Sequence, residues 1–489
     1  MKLLTPILSA SLLLPSAPSV AGTPGRIESP ACREFVRFVR DDMNTFGLVV
    51  LKDGKHVLEY YGHGADPETK FKLWSISKTF TGLMLGALVK ERKLTLDDRL
   101  VDHVPEFATP TALELRTGVS ERRNQLTLRH LWTFSSGLDW CEYATCSPLS
   151  PLRVHYGLER RDGADYVTKH NLVHPPGEVF AYGTGNSLLL QHALRTVSEK
   201  ERPGSYADLP VRTILGPLGI SNWAFEQDDT GLYMGGSGLF LTTRGLSKLG
   251  QLILNRGKLP SGRELVDEAF YREMVTPSQG IQGPATPQTT KDWEGAVGGS
   301  IWMNRKLPGI SQFFRTAPED LVYSGGNFGQ FLLVFPSAKL VIARNGGDAD
   351  HARFWEPFTN RALACFAPAQ LTPDNGKPDH KTPGTGAMAY GKFLFRAVNE
   401  RFLVNMYAQE NCNCLFTQGI SDPKACRTLY PLQAGLGALL PRITVDRAAG
   451  KVEAYTTLGA LIGSSATAQF DPTQPTRGCR LTKRARPAL

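Results

Sequence analysis

Ser75-Ile76-Ser77-Lys78 opens the apolar stretch Thr79 to Val89, and this tetrapeptide constrains the chain more than any other feature. Residues three apart on an α-helix share a face, so a helix here sets the Lys78 amine within reach of the Ser75 hydroxyl. An ordinary serine is a poor nucleophile. A lysine desolvated in an apolar pocket gives up its proton more readily and then accepts the one from serine. Phe71, Leu73, Trp74 and Ile76 supply one wall of such a pocket. Phe80, Leu83, Met84, Leu85, Ala87 and Leu88 make the helix apolar nearly all round, the pattern of a buried helix. The stretch therefore carries its own nucleophile and base, a pair able to form an acyl-enzyme. Alone, the motif is only a pattern match; its weight comes from what surrounds it.

Ahead of Ser75, Gly47 to Tyr61 holds two apolar, β-branched runs around Asp53-Gly54, a type I′ hairpin signal. After it come Lys93-Leu-Thr-Leu-Asp-Asp98 with Val104-Pro105, then Leu126-Thr-Leu-Arg-His-Leu131 and Ser135-Ser136-Gly137-Leu138. Pro176-Gly177-Glu178-Val179-Phe180-Ala181-Tyr182 and Gly235-Gly236-Ser237-Gly238-Leu239 follow, the latter with Thr242-Thr243-Arg244 leading into a helix. Last is Tyr323-Ser324-Gly325-Gly326-Asn327-Phe328-Gly329-Gln330 before a strand at Phe331 to Phe335. In this order and at these spacings, residues from about 33 to 366 resemble the serine hydrolases of the class C β-lactamase and penicillin-binding protein superfamily. That superfamily also includes esterases, D-amino-acid peptidases and 6-aminohexanoate-dimer hydrolase-like oligoamide hydrolases. The resemblance implies an α/β (α+β) fold, a mainly antiparallel sheet flanked by helices, with a helical subdomain carrying Tyr182.

It also implies roles. Ser75 matches the nucleophile, Lys78 its activating partner, and Tyr182 the tyrosine of the family's Y-x-N motif, a second member of the acid–base relay. A phenol titrates near 10, so Tyr182 serves as a base only where the Lys78 cation stabilises its phenolate. Two positions depart from the pattern. Thr184 replaces the asparagine of Y-x-N, with Asn186 two residues on; the K-T-G or H-x-G motif aligns on Tyr323-Ser324-Gly325, which lacks the usual cation. A tyrosine donates one hydrogen bond but carries no charge at neutral pH, so recognition of a substrate carboxylate is put in doubt. Thr184, Asn186, Tyr323, Ser324 and Gly325 are thus the expected substrate-binding positions. For the oxyanion hole, the backbone N–H groups of Ser75, at a helix start, and of Gly326, on a strand edge open to close approach, are the candidates.

No H-E-x-x-H, G-x-x-x-x-G-K-[ST] or G-x-S-x-G occurs, so neither a metal nor another cofactor is expected. His130, in an apolar helical stretch, reads as structural, and Gly235-Gly-Ser-Gly as a tight turn before a helix at Leu246 to Leu254. The net charge of +9 is spread along the chain, and Lys483-Arg-Ala-Arg486 reads as a tail, so no nucleic-acid partner is expected.

Lys2, the apolar run through Leu14 and Ser19-Val20-Ala21 read as a signal peptide cut after Ala21, which predicts a periplasmic or secreted protein. No later run is long enough to span a membrane. Eight cysteines fit an oxidising compartment. In the resembling family the terminal helices pack side by side, implying a Cys32–Cys365 bridge; Cys141 and Cys146 are placed to staple the loop after Gly137. Cys412, Cys414, Cys426 and Cys479 leave three connectivities open. The expected organisation is a signal peptide over 1–21, a hydrolase domain over 22–366, a linker over 367–386 and a small Cys-containing α+β module over 387–489. In that module a helix at Phe393 to Tyr407 and strands at Arg442 to Asp446, Lys451 to Tyr455 and Ala466 to Phe470 are predicted. The expected function is a monomeric serine hydrolase forming an acyl-enzyme on a small ester or amide. The alternatives are a D,D-peptidase or β-lactamase acting on cell-wall peptides or β-lactams, and a non-catalytic envelope binding protein of the same fold.

Overall fold

Asp53 and Gly54 both adopt positive φ, 52° and 74°, as a type I′ turn requires, and their hairpin sits inside the main sheet of the molecule. The computed structural model describes residues 19–22, 28–142, 150–282, 296–310, 312–348, 351–373, 402–430, 442–455 and 465–484. The strands are β1 (Ser19–Gly22), β2 (Thr45–Lys52), β3 (Lys55–Tyr61), β4 (Lys70–Lys72), β5 (Trp223–Phe225), β6 (Leu239–Thr242), β7 (Ala296–Val297), β8 (Trp302–Met303), β9 (Val322–Gly326), β10 (Gln330–Phe335) and β11 (Leu340–Gly346). Eight of them form an antiparallel sheet in the order β1-β3-β2-β11-β10-β9-β8-β7, and three form a small sheet, β4-β6-β5.

Burial on both faces explains the near-continuous apolar sequence of β2, β10 and β11. One face packs on helices α1 (Pro30–Arg37) and a terminal helix, Trp355–Phe366, through Phe35, Leu48, Val50, Phe358, Ala362 and Phe366. The Cys32–Cys365 disulfide joins these two helices, as the resemblance implied. The other face packs on α2 (Ile76–Lys90), with Val49, Leu51, Phe80, Met84 and Val341 in one cluster. Further helices are α3 (Ser150–Tyr156), α4 (Thr184–Glu201), which packs on α2, and α5 (Thr243–Leu254), which packs directly on β2, β10 and β11; the Trp355–Phe366 helix is α6. Thr242 caps α5 by accepting from the Gly245 N–H at 3.0 Å, so this helix starts three residues earlier than predicted. His130 is structural: its Nδ1 accepts from the Thr127 N–H at 3.1 Å, closing a short helix start.

At the carboxyl end, α7 (Phe402–Cys412) and α8 (Pro423–Leu429) accompany an antiparallel sheet of β12 (Arg442–Asp446), β13 (Lys451–Tyr455), β14 (Ser465–Phe470) and β15 (Cys479–Lys483) in sequential order. The three predicted strands are present, and the segment after Gly478 adds a fourth. Disulfides Cys412–Cys479 and Cys414–Cys426 select one of the three open connectivities. Cys141 is also disulfide-bonded, while its expected partner Cys146 lies outside the described residues. So do most of the predicted linker and the first part of the predicted helix. Among the described residues this module has its own sheet, but its core is continuous with that of the hydrolase domain. Its Val404, Tyr407, Leu429 and Tyr430 share one apolar cluster with Phe46, Phe71, Trp74, Leu152, Tyr156 and Phe328. Among the described residues no helix is long and apolar enough to cross a membrane. Of the expected signal peptide, only Ser19–Ala21 is described, pairing along β3 at the sheet edge.

Candidate active site

The chain reaches Ser75 from β4 through a sharp bend. Leu73 N–H donates to Leu239 O on β6 at 2.8 Å, and Trp74 then takes φ +50°. A bulky residue in this left-handed region costs about 1–2 kcal/mol and persists only where its surroundings hold it. The bend sets half-buried Ser75 at the start of α2, with its side chain uncommitted to capping. Its Oγ lies 3.1 Å from Lys78 Nζ, and the same ammonium donates to Gly236 O at 2.9 Å. The three-residue spacing thus does what the sequence implied, and the Lys78 side chain is only 2% exposed.

Tyr182 lies just ahead of α4, its ring centroid 4.8 Å from Lys78 Nζ. Phe134 and Trp302 pack against that ring with centroids at 4.9 Å and 5.6 Å. Asn186 is buried and accepts from the Ser136 hydroxyl at 2.6 Å, which joins the Ser136-Gly137 and Tyr182 blocks. Thr184 turns elsewhere: its hydroxyl donates to Glu142 Oε1 at 2.7 Å and its N–H to Glu142 Oε2 at 2.8 Å. Trp140 Nε1 also donates to Glu142 Oε2, at 2.5 Å. Glycine flanks Thr184 because Trp140 lies against it; a Cβ at Gly185 would stand 2.6 Å from the indole.

Glu142 is the residue that sequence reasoning missed. Its Oε1 lies 3.8 Å from Lys78 Nζ, so a carboxylate faces the lysine from a loop remote in sequence. The only signal available was an acid beside Cys141, and Asp139 in the same segment carried it equally well.

On β9 the side chains alternate, and the alternation splits the predicted substrate-binding set. Ser324 faces α2, its Oγ 2.7 Å from Thr79 Oγ1. Tyr323 faces the opposite side of the sheet, where its ring packs on Phe314 at 4.9 Å and Trp355 at 5.7 Å. Gly325 shares that far face; a Cβ there would meet Trp355 at 2.6 Å. The expectation that Tyr323 stands in the site in place of the family's cation is therefore corrected: strand period two turns its side chain away, leaving Ser324 toward α2. Gly326 returns to the near face, where a Cβ would lie 2.2 Å from Leu73 O and 3.1 Å from Trp74 Cβ. Only glycine lets β9 approach the bend before Ser75 this closely.

A family model described as Beta-lactamase matches residues 35–346. Protein flp of Staphylococcus aureus (strain NCTC 8325 / PS 47) is 27% identical over 188 residues, 37% of this chain and 34% of that protein. The match thus spans about a third of the length of that curated relative. A 6-aminohexanoate-dimer hydrolase of Paenarthrobacter ureafaciens is 25% identical over 228 residues, 45% of this chain and 54% of that protein. The crystal structure of a family VIII carboxylesterase has a TM-score of 0.53 at 14% identity, covering 71% of this chain and 99% of that one. So low an identity speaks to the fold alone. With the antiparallel sheet, its flanking helices and the family model in agreement, the chain belongs to the beta-lactamase family of serine hydrolases.

Proposed function

We propose that the protein is an exported serine hydrolase that acylates Ser75 with a neutral ester or amide substrate and then hydrolyses the acyl-enzyme. The observation that carries this reading is the 3.1 Å contact between Ser75 Oγ and a buried Lys78. Ser75 Oγ attacks the acyl carbon, and its proton passes to the Lys78–Tyr182 pair and on to the leaving alcohol or amine. The backbone N–H groups of Ser75 and Gly326 receive the developing oxyanion. Water, activated by the same pair, then releases the acid. Two features support a neutral substrate. Tyr323 offers no charge and faces away, and Glu142 sets a carboxylate beside Lys78, where a substrate carboxylate would meet repulsion. The name of the P. ureafaciens relative, a 6-aminohexanoate-dimer hydrolase, agrees with an amide as the bond cleaved, but such a dimer ends in a carboxylate and so lends nothing to neutrality. Disulfides throughout the chain support export, with the mature protein starting at Gly22.

Intact-mass labelling tests the reading. A fluorophosphonate should add once to the wild type and not to Ser75→Ala. Failure of the wild type to react would overturn catalysis and favour a binding protein of the same fold. Acylation by penicillin would replace the neutral-substrate reading with the cell-wall one.

A further inference from the structure

Six residues before Lys78 stands a second buried lysine, which the proposed chemistry does not use. Lys72, at the end of β4, pairs with Glu226 at 3.1 Å and with Glu410 of α7 at 2.5 Å, all three side chains being at most 2% exposed. Tyr156 of α3 donates to Glu410 at 2.7 Å, and Gln409 and Asn413 donate to Glu226 at 3.0 Å and 2.8 Å. Burial pushes the Glu226 carboxyl up, but the charges of Lys72 and Arg160 outweigh it and leave it at about 2. Glu226 is thus held ionised, and the other acid of the network, Glu410, comes from the carboxyl-terminal module.

From this network the contacts lead directly to the nucleophile. The Lys72 ammonium lies 4.5 Å from the Trp74 ring centroid. Tyr430, just after α8, packs edge-on against both Trp74 and Phe328 at 6.3 Å. Trp74 is the residue with positive φ immediately before Ser75, and Phe328 lies in the turn that follows Gly326. The same part of the module abuts the end of β11, where a Cβ on Gly347 would be 2.1 Å from Thr428 O.

We propose that the carboxyl-terminal module is a positioning element of the catalytic site: Glu410 and Tyr430 hold Lys72 and the ring of Trp74, and so fix the strained bend that presents Ser75. The inference rests on Ser75 being the nucleophile. A bulky residue stays in a left-handed conformation only when its environment over-determines it, and the module contributes Tyr430 directly and Glu410 through Lys72. Glu410 and Tyr430 touch no reacting atom; they act through Lys72 and Trp74.

The test is the second-order rate of fluorophosphonate labelling in the full-length oxidised protein, with kcat and KM for a short-chain ester alongside. Tyr430→Leu should slow labelling and lower kcat by about tenfold with KM within about twofold, because displaced reacting groups lose rate more than binding. Tyr430→Phe, which keeps the ring, should recover most of the rate. Glu410→Gln, which keeps shape and the bond from Tyr156, should slow labelling several-fold. Val452→Ala loosens the module's own sheet and should lower Tm with labelling unchanged. Labelling by Tyr430→Leu and Glu410→Gln at the wild-type rate, or a loss that Val452→Ala reproduces, would overturn the proposal. A wild type that does not label at all defeats the Ser75 reading instead. Should Tyr430→Leu not fold, Glu410→Gln decides alone.

Discussion

Two buried lysines on one short stretch of chain, Lys72 and Lys78, are surrounded in opposite ways. Lys72 has two carboxylates at 2.5 Å and 3.1 Å, and all three side chains are buried. Lys78 has a carboxylate at 3.8 Å, and a serine hydroxyl and a carbonyl at 3.1 Å and 2.9 Å. Close pairing on both sides fixes the first as a structural cation. Looser charge contact with a serine hydroxyl in hydrogen-bond range is what the proposed proton transfer needs from the second. The difference teaches that burial of a lysine says little by itself, and the distance and number of its acids say what it is for.

The sharpest way to break this contrast is to remove each amine. Lys78→Met should lower kcat/KM by roughly three orders of magnitude or more with a small change in Tm, since the proposed mechanism passes the Ser75 proton through its amine. Lys72→Met should leave Glu226 and Glu410 buried without their cation, destabilising by about 3–5 kcal/mol. Denaturant unfolding and ester hydrolysis on the two variants check both. Equal loss of stability in the two would erase the distinction.

Acid acts on the Lys72 region next. The Glu226 carboxyl titrates at about 2 in the folded chain against 4.5 as its ordinary value. A group depressed in the folded state stabilises fully above its unfolded pKa, and that stability is lost as pH falls through the folded value. Here the window runs from about pH 4.5 down to 2, and the displacement corresponds to about 3 kcal/mol. His155, buried beside Ser237 at 2.9 Å, is held well below 6.5, first by burial and then by the Lys72 charge. Its neutral form adds stability above pH 6.5 that wanes as pH falls below it. Tm should therefore begin to fall below pH 6.5 and steepen below 4.5. Glu226→Gln, which mimics the protonated acid, should sit below the wild type at neutral pH and approach it as pH nears 2. A constant gap across that range would contradict the assignment.

Glu142 offers a smaller effect at the Lys78 end. Glu142→Gln removes the negative neighbour, which favours a neutral amine, so the ascending limb of kcat/KM against pH should move to lower pH. The plateau should also drop about tenfold, since Thr184 and Trp140 lose a charged anchor and the groups they place shift. A profile unmoved along the pH axis would separate Glu142 from Lys78 and leave it a loop anchor.

Which of these parts could be read in advance follows from how far apart their members lie. Ser75 and Lys78 were legible because helical spacing alone brings them together, and the hairpin at Asp53-Gly54 because its turn is local. Glu142 was not, because nothing local marks a loop acid that folds back onto Lys78. Helix α7 was predicted to stop at Tyr407, where apolar periodicity ends, yet it continues to Cys412. The reason is that Gln409 and Glu410 are fully buried against Lys72 and Glu226, so the helix's polar side is an inside face. A pattern rule that equates polar with exposed cannot find that helix end, nor the role of the module it serves.

The smallest expected effect tests the corrected face of β9. A strand reverses faces at every residue, so alignment of a motif fixes position but not direction unless a neighbour's contact is known. Ser324 touches Thr79 on α2, whereas Tyr323 belongs to the aromatic cluster with Phe314 and Trp355. Ser324→Ala should therefore reduce kcat/KM by a factor of about ten, the worth of one lost polar contact. Tyr323→Phe keeps the packing and removes only the hydroxyl, and should change kcat/KM by less than about twofold with at most about 1 kcal/mol of stability lost. Were Tyr323→Phe the more damaging of the two for catalysis, the tyrosine would have to reach the substrate, and the face assigned to Ser324 would be wrong.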